Sequence, residues 1–271
     1  MTLRITHING RPATVSDLAP LSFAGYAHFT AMQMRDYAVP ALDLHLARLR
    51  RASDTLFGRH LADEQIIAFL RTAVDAAAVA DASATCFITS RPGEFSAGGG
   101  HTALDVLITI TDPATPPTGP LTLDLVRHER HLPQVKHVGE VSKTFLLREA
   151  VARGFDDAAF EDSIGRVSEA TIWNLAFWDG ESVIWPEAEY LHGVTMQILT
   201  RRLGSAGVPQ VTRSLRVADL NDQLSAVVMN SWTPGCPVAR IGETTLAQDS
   251  AFVRLLDEAY ESEHRTTLSG A

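Results

Sequence analysis

Apolar and polar positions alternate, or recur at helical spacing, through the first part of the chain. An alternation that ends at Asn9-Gly10 is typical of a strand entering a tight turn. Apolar residues at three- and four-residue steps predict two helices, the first of which ends at Gly58. Two later apolar runs predict strands joined by the glycine-rich segment 96–101. This part is therefore expected to be α+β, with strands over 3–8, 84–90 and 104–111 and helices over 42–57 and 63–79.

Nine residues from Asp112 to Pro120, DPATPPTGP, interrupt this pattern. Four of them are proline, which fixes the φ angle and removes a backbone donor, so the segment cannot continue a helix or a sheet. We therefore place a domain boundary here. The first domain is expected over 1–114, the linker over 115–120 and the second domain over 121–271.

The second part of the chain shows the same mixture of strands and helices. Gly154 and Gly204 are expected to end two helices, and Asp179-Gly180 predicts a hairpin turn. Pro234-Gly235 predicts a turn after a short apolar strand. These patterns favour a protein of two α+β domains with a cleft between them, a common place for a ligand. The expected strands cover 121–127, 158–162, 166–168, 177–178, 183–185 and 227–229, and the expected helices cover 142–153, 194–203 and 248–260.

Composition and charge narrow the class of protein. The 271 residues are 45% apolar and 20% charged, as in ordinary globular chains. With 32 acidic and 23 basic side chains, the net charge of −9 excludes a nonspecific nucleic-acid binder, which needs a basic surface. Two cysteines are too few for a disulfide framework or a CxxC zinc site, and the ten histidines show no metal-binding spacing. No apolar run approaches the ~18 residues of a membrane span and no leader pattern begins the chain, so we expect a soluble, cytoplasmic protein without a metal.

Lys136, in HLPQVKHVGE, is a first candidate for chemistry. Most lysines in such a position are solvated loop residues. The alternative is a Schiff-base nucleophile, which needs a desolvated amine, and the neighbours Val135 and Val138 would help to provide that environment. The residues around Lys136 leave both interpretations open.

Glu169 lies inside an apolar, strand-like run, GRVSEATIWNLAFW. A buried carboxylate without a partner is costly, so we expect it to be paired. It either accepts hydrogen bonds from a neighbouring turn or faces a cationic ring nitrogen, and spacing alone does not separate the two.

Three segments offer groups that bind anions. Arg48, in HLARL, either lays its stem on apolar surface at the rim of a core or binds a phosphate through two guanidinium nitrogens. Val194 and Thr195 begin a predicted helix, whose N-terminal N–H groups attract anions. The segment 230–233 supplies hydroxyl and N–H groups near them, or is simply a turn.

These residues belong to short motifs that follow one another in a fixed order. The motifs are ING at 8–10, HLARL at 45–49, VKH at 135–137, GFDDAAFEDSIGRVSEATIWNLAFW at 154–178, HGVT at 192–195 and NSWTPGCPV at 230–238. In this order they resemble the class IV (fold-type IV) pyridoxal-phosphate enzymes, which include branched-chain aminotransferases, D-amino-acid aminotransferases and aminodeoxychorismate lyase. The resemblance runs nearly end to end, and Lys136 and Glu169 fall at the separation found in that family without a gap.

The resemblance implies a fold and a cofactor site. It implies the two-domain α+β fold of the D-amino-acid aminotransferase type, with pyridoxal 5'-phosphate in the interdomain cleft. Lys136 matches the lysine that forms the Schiff base and later moves a proton, and Glu169 matches the carboxylate that pairs with the pyridine nitrogen. The other matches are Arg48, Val194 (through its backbone), Thr195 and Ser231 at phosphate-binding positions and Asn174 near the cofactor edge.

Three departures from the family pattern concern the substrate more than the cofactor. Gly139 stands where the family often has asparagine. The segment that lines the substrate pocket corresponds to an unusual 28–32, HFTAM, and SRPGEFS at 90–96 lacks the Arg-x-His pair of the D-amino-acid enzymes.

The family resemblance leads to one preferred function and two alternatives. The preferred function is an aminotransferase that moves an amino group from an amino acid to a 2-oxo acid. The first alternative is a lyase of the aminodeoxychorismate type, which releases pyruvate. The second is a non-catalytic protein that binds the cofactor or a metabolite, although an intact Lys136 and Glu169 argue against it. By resemblance we also expect a homodimer.

Overall fold

A computed structural model describes residues 2–22, 26–90 and 103–269, and the contacts within the chain form two compact units. The predicted glycine-rich connection at 96–101 and most of the segment 90–96 lie outside the described residues. The first unit comprises Met1–Thr115, Val135–Glu140 and His264–Ala271, and the second comprises Pro116–Gln134 and Val141–Glu263.

The first unit contains an antiparallel sheet of five strands in the order β2-β1-β6-β5-β3. Two helices pack on this sheet, because each has one apolar stripe that must leave water. Its elements are β1 (Leu3–Ile8), β2 (Arg11–Pro12), α1 (Val15–Ser22), β3 (Ala27–Met34), β4 (Ala38–Pro40), α2 (Leu42–Phe57), α3 (Asp63–Ala77), β5 (Ala82–Ser90) and β6 (Leu104–Thr111).

Helix α2 has the bounds that its periodicity predicts. Leu42, Leu46 and Leu49 are buried against the sheet, and Gly58 ends the helix with a left-handed backbone at φ 67°. Helix α3 ends at Ala77, earlier than the predicted residue 79. The reason is that Ala78 also adopts a left-handed conformation, at φ 51°, and closes the helix by donating its N–H to the Val74 carbonyl.

The second unit is built around a larger, mixed sheet. The order of its path is β12-β11-β10-β13-β14-β7-β8-β9, with β15 beside β14. The described residues form β7 (Leu121–Arg127), α4 (Val141–Ala152), β8 (Asp157–Glu161), β9 (Val167–Ala170), β10 (Asn174–Trp178), β11 (Val183–Pro186), α5 (Val194–Ser205), β12 (Gln210–Arg213), a 3₁₀ turn (Val217–Asp219), β13 (Ser225–Asn230), β14 (Thr233–Ile241), β15 (Thr244–Thr245) and α6 (Ser250–Glu261).

One further pairing closes six of these strands into a ring. Strand β9 pairs with β10 through Glu169 and Asn174, which joins the two ends of the path β10-β13-β14-β7-β8-β9. Apolar side chains such as Leu123, Leu175 and Val228 are buried in the core of this unit. The ring therefore fixes Glu169 and Asn174 side by side on neighbouring strands.

Two predicted turns or ends in this unit differ from the structure. Helix α5 runs through Gly204 to Ser205, although glycine costs a helix about 1 kcal/mol relative to alanine. Pro234-Gly235 is not a turn but part of β14. The turn lies before this strand, at residues 231–232. Pro234 is tolerated because the register of β13 against β14 shifts there, a bulge at which no ladder N–H is needed.

The segment around Lys136 belongs to the first unit, whereas we expected it in a contiguous second domain. The physical reason is backbone pairing along the edge of β3. The N–H of Phe29 donates to the carbonyl of Lys136 at 2.9 Å, and the N–H of Val138 donates to that of Ala27 at 3.0 Å. The end of the chain returns in the same way, because β16 (Arg265–Thr267) pairs with β4. Neither pairing has a local sequence signal.

In the described part of the chain, none of the helices has the length and apolar character required to cross a bilayer.

Candidate active site

Glu169 is a buried acid in the middle of β9, with 4% of its surface exposed. All four residues of this strand are buried, so sheet formation takes the carboxylate out of water. Two cations of the same unit meet its Oε1 atom. Lys143 donates from Nζ at 2.9 Å, and Arg130 Nη1 lies 3.7 Å away. The expected pairing of Glu169 is confirmed, and its partners are side chains rather than a turn.

The negative charge of Glu169 also acts on a nearby buried phenol, that of Tyr190. Burial, and secondarily the negative charge of Glu169, raise the pKa of Tyr190 to about 12. Tyr190 donates its hydroxyl proton to the carbonyl of Pro186 at 3.0 Å. Tyr190 therefore stays neutral at physiological pH.

Asn174 connects the carboxylate to the start of α5. Its backbone pairs with Glu169, while its side chain donates to the carbonyl of Leu191 at 2.7 Å and accepts from the N–H of Gly193 at 3.1 Å. A Cβ on Gly193 would overlap Asn174 Oδ1, so this approach requires glycine. The asparagine thus fixes where α5 begins.

The first turn of α5 lies against the turn between β13 and β14, and we call these two turns together the cup. Val194 and Thr195 are its first two residues, and their N–H groups lie in the turn of the helix that has no carbonyl partners. Thr195 donates its hydroxyl proton to the carbonyl of Asn230 at 2.7 Å, which holds the β13–β14 turn against the helix. The partly buried Ser231 lies in that turn.

Two polar atoms at this turn lack hydrogen-bond partners among the described residues. They are the buried Asn230 Nδ2 and Thr233 Oγ1, on residues that face each other across β13 and β14. Buried donors without partners cost stability, and such atoms beside a helix N-terminus fit a bound anion.

Arg48 is buried on α2 in the first unit. Its Nη2 donates to the hydroxyl oxygen of Thr30, which lies 2.6 Å from Nδ1 of His45. Burial, and then the charge of Arg48, hold the pKa of His45 well below its usual value and lower that of His28 to about 3. Both histidines are therefore neutral, and Arg48 carries the positive charge of this cluster.

Lys136 lies on the edge of β3 in the same unit. Its Nζ is 4.8 Å from the centre of the Phe29 ring, and its backbone carbonyl accepts from the Phe29 N–H. The amine thus rests on an aromatic face and is partly buried, as the apolar neighbours in the sequence indicate.

The predicted site residues divide between the two units, and those of the second unit form one group. Arg48 and Lys136 lie in the first unit. The described residues contain no cluster of three or more metal-ligating side chains. The group in the second unit comprises Glu169, Asn174, Val194, Thr195 and Ser231.

Sequence reasoning did not identify Lys143 and Arg130 as partners of Glu169, or Asn230 and Thr233 in the cup. Composition offered a signal for the first of these. Lys136 and Lys143 are the only lysines in the sequence among 23 basic residues; the first is itself a predicted site residue, and the second donates to another, Glu169.

Comparison with known proteins places the chain in a family. The family model described as amino-transferase class IV matches residues 27–241. A search of curated proteins found no match.

Solved structures of similar fold share few residues with the chain. A branched-chain aminotransferase from Thermoproteus uzoniensis, solved with norvaline, has a TM-score of 0.83 at 17% identity over 95% of this chain and 93% of that one. A branched-chain amino acid aminotransferase from Thermobaculum terrenum in its PLP form has a TM-score of 0.81 at 16% identity over 96% and 94%. A putative 4-amino-4-deoxychorismate lyase from Legionella pneumophila has a TM-score of 0.79 at 17% identity over 93% and 96%.

The residues of the second unit fit pyridoxal phosphate. The cofactor carries a basic ring nitrogen at one end and a phosphate at the other. The second unit offers a buried carboxylate, Glu169, and a cup with two unused buried polar atoms, and Asn174 holds the two in one frame. The family match over most of the chain, the shared fold and this chemistry agree, and the chain belongs to the class IV aminotransferases, a family of pyridoxal-phosphate-dependent enzymes.

Proposed function

We propose that this enzyme is an aminotransferase that moves an amino group from an amino acid to a 2-oxo acid. The observation that carries the proposal is the frame of the second unit, in which Asn174 pairs with Glu169 on one side and holds Gly193 at the start of α5 on the other. Such a frame can hold a flat, anionic cofactor at two points, with Glu169 at its ring nitrogen and the start of α5 at its phosphate. Bound pyridoxal phosphate supplies an electron sink for the α carbon of an amino acid.

Each end of the cofactor has its own residues in this proposal. Glu169 holds a proton at the ring nitrogen through its negative charge, and Asn174 lies at the cofactor edge. Lys136 holds the cofactor through its Nζ and moves the proton at the α carbon of the substrate. The phosphate is bound by Arg48, the backbone of Val194, the N-terminus of α5 at Thr195, and Ser231.

A donor screen tests this function. The protein loaded with pyridoxal phosphate is mixed with single L- and D-amino acids, and the visible absorbance of the bound cofactor is followed without an acceptor. We expect at least one donor to bleach the absorbance and a 2-oxo acid to restore it. The Lys136→Ala variant, loaded in the same way, is the control and should bleach at least 100-fold more slowly, because general acid–base catalysis contributes roughly 10²–10⁴-fold.

The main alternative is a pyruvate-releasing lyase of the aminodeoxychorismate type. The VKH and NSWTPGCPV motifs resemble those of the lyase-like and D-amino-acid branches of the family, and the Legionella protein is as similar in sequence as the branched-chain aminotransferase from Thermoproteus uzoniensis is. Pyruvate released from aminodeoxychorismate, together with no bleaching by any donor, would select the lyase. A loaded protein that neither bleaches nor releases pyruvate would contradict both activities and favour a non-catalytic binding protein.

We further propose that the enzyme is a cytoplasmic homodimer. Helix α4 leaves Val141 82% and Phe145 60% exposed, and large apolar side chains in this number on one helix favour burial against a second copy. Cys86 and Cys236 are both free thiols, which is typical of a reducing compartment.

A further inference from the structure

Lys143 is a buried cation to which the family resemblance gives no role. It lies on α4 with 7% of its surface exposed, and its Nζ donates to Glu169 Oε1. Arg130 approaches the same oxygen, and Nζ also lies 5.7 Å from the centre of the Phe160 ring. No described residue donates a hydrogen bond to the second oxygen, Oε2. Both cations are therefore on one side of the carboxylate.

The choice of lysine at this position is selective. Only 2 of the 23 basic side chains of the sequence are lysine, so arginine supplies almost all the positive charge of this protein. An ammonium group is compact and contacts one oxygen, whereas a guanidinium fork binds both oxygens of a carboxylate at once. At Glu169 an arginine in place of Lys143 would compete for Oε2.

We propose that Lys143 is a positioning residue that holds Glu169 by Oε1 and leaves Oε2 for the ring nitrogen of pyridoxal phosphate. The ammonium also takes up part of the negative charge of Glu169, so that the ring nitrogen meets a partly neutralised carboxylate. Lys143 thus sets how strongly the protein holds the ring proton. The inference rests on the proposed role of Glu169 toward the ring but not on which reaction follows.

Two substitutions of Lys143 should act in opposite directions. Lys143→Met removes the ammonium charge, so that more of the negative charge of Glu169 acts on the ring nitrogen. Lys143→Arg keeps the charge but places a donor at each carboxylate oxygen, which displaces the ring nitrogen. The matched control is Arg202→Met, which removes a cation from another buried carboxylate of the second unit, Glu263.

The experiment compares two ligands in each variant. One is pyridoxal phosphate, and the other is its analogue in which a C–H group replaces the ring nitrogen. Their dissociation constants from the apoprotein are measured by titration, and the ratio of the two is the readout. Because both ligands bind the same folded molecules through the same phosphate and aldehyde, a general loss of structure cancels from the ratio.

We expect the preference for pyridoxal phosphate over the analogue to rise about tenfold in Lys143→Met and to fall about tenfold in Lys143→Arg. It should stay unchanged in Arg202→Met. A factor of ten corresponds to a change of one unit in the pKa of the ring nitrogen. A wild-type ratio in both variants would overturn the proposal, and if only one variant folds, a wild-type ratio in that one would do so. A wild-type protein without any preference would show that Glu169 does not meet the ring nitrogen. The ratio needs no turnover, so a failed donor screen would overturn the proposed reaction and leave this test intact.

Discussion

Lys136 and Lys143 are the only two amines on side chains of this protein, which makes the attachment point of the cofactor easy to determine. Lys136 is partly buried and its Nζ lies against the ring of Phe29, whereas Nζ of Lys143 donates to Glu169. We expect borohydride reduction of the loaded protein to fix one cofactor per chain on Lys136. Peptide mapping by mass spectrometry reads the position directly, with unreduced protein as the control. A label on Lys143 would contradict the assignment of Lys136.

Arg48 and Ser231 should contribute unequally to phosphate binding. A hydrogen bond from a charged group contributes about 1.5–3 kcal/mol and one from a neutral hydroxyl about 0.5–1.5 kcal/mol. We therefore expect Arg48→Ala to weaken cofactor affinity by about 10- to 100-fold and Ser231→Ala by less than about tenfold. Titration of the apoprotein measures both constants. Arg51→Ala, at an exposed position of the same helix, is the control, and equal losses in the Arg48 and Ser231 variants would argue against Arg48 as the phosphate anchor.

At the scale of elements, the start of α5 depends on the contact between Gly193 and Asn174. A methyl group at Gly193 would overlap Asn174 Oδ1, so the helix or the asparagine must move. We expect Gly193→Ala to lose about 1–3 kcal/mol of stability and to weaken cofactor binding at least tenfold. Thermal unfolding and cofactor titration measure the two effects.

Helix α5 itself provides the matched control for this prediction. A Cβ at Gly204 would lie 3.5 Å from Gln210 Nε2, an ordinary contact, so Gly204→Ala should gain up to about 1 kcal/mol of stability without a change in cofactor affinity. If both glycine variants kept wild-type affinity, the position of the α5 N-terminus would not matter for the cofactor.

At the scale of the whole molecule, local patterns predicted the elements better than their partners. The periodicity of α2 and the glycine after it fixed both ends of that helix, since the apolar stripe and the stop signal are adjacent in sequence. The turn predicted at Pro234-Gly235 was wrong because a bulge against β13 accommodates the proline within β14. The ion pair of Lys143 with Glu169 joins α4 to β9, and no local pattern reports a contact that depends on closure of the strand ring. The resemblance of ordered motifs, rather than any single motif, indicated the family that the comparisons then showed.

The path of the chain between its two units limits how this protein can be altered by recombination. Residues 135–140 interrupt the second unit to extend the edge of β3, and the last residues return to pair with β4. Neither unit is therefore encoded by one uninterrupted stretch of gene. Exchanging a single block of codons at the proline-rich segment with a relative would place residues 135–140 of one parent beside the β3 of the other. A functional chimera would have to keep that short segment, Lys136 included, with the parent that supplies the first unit.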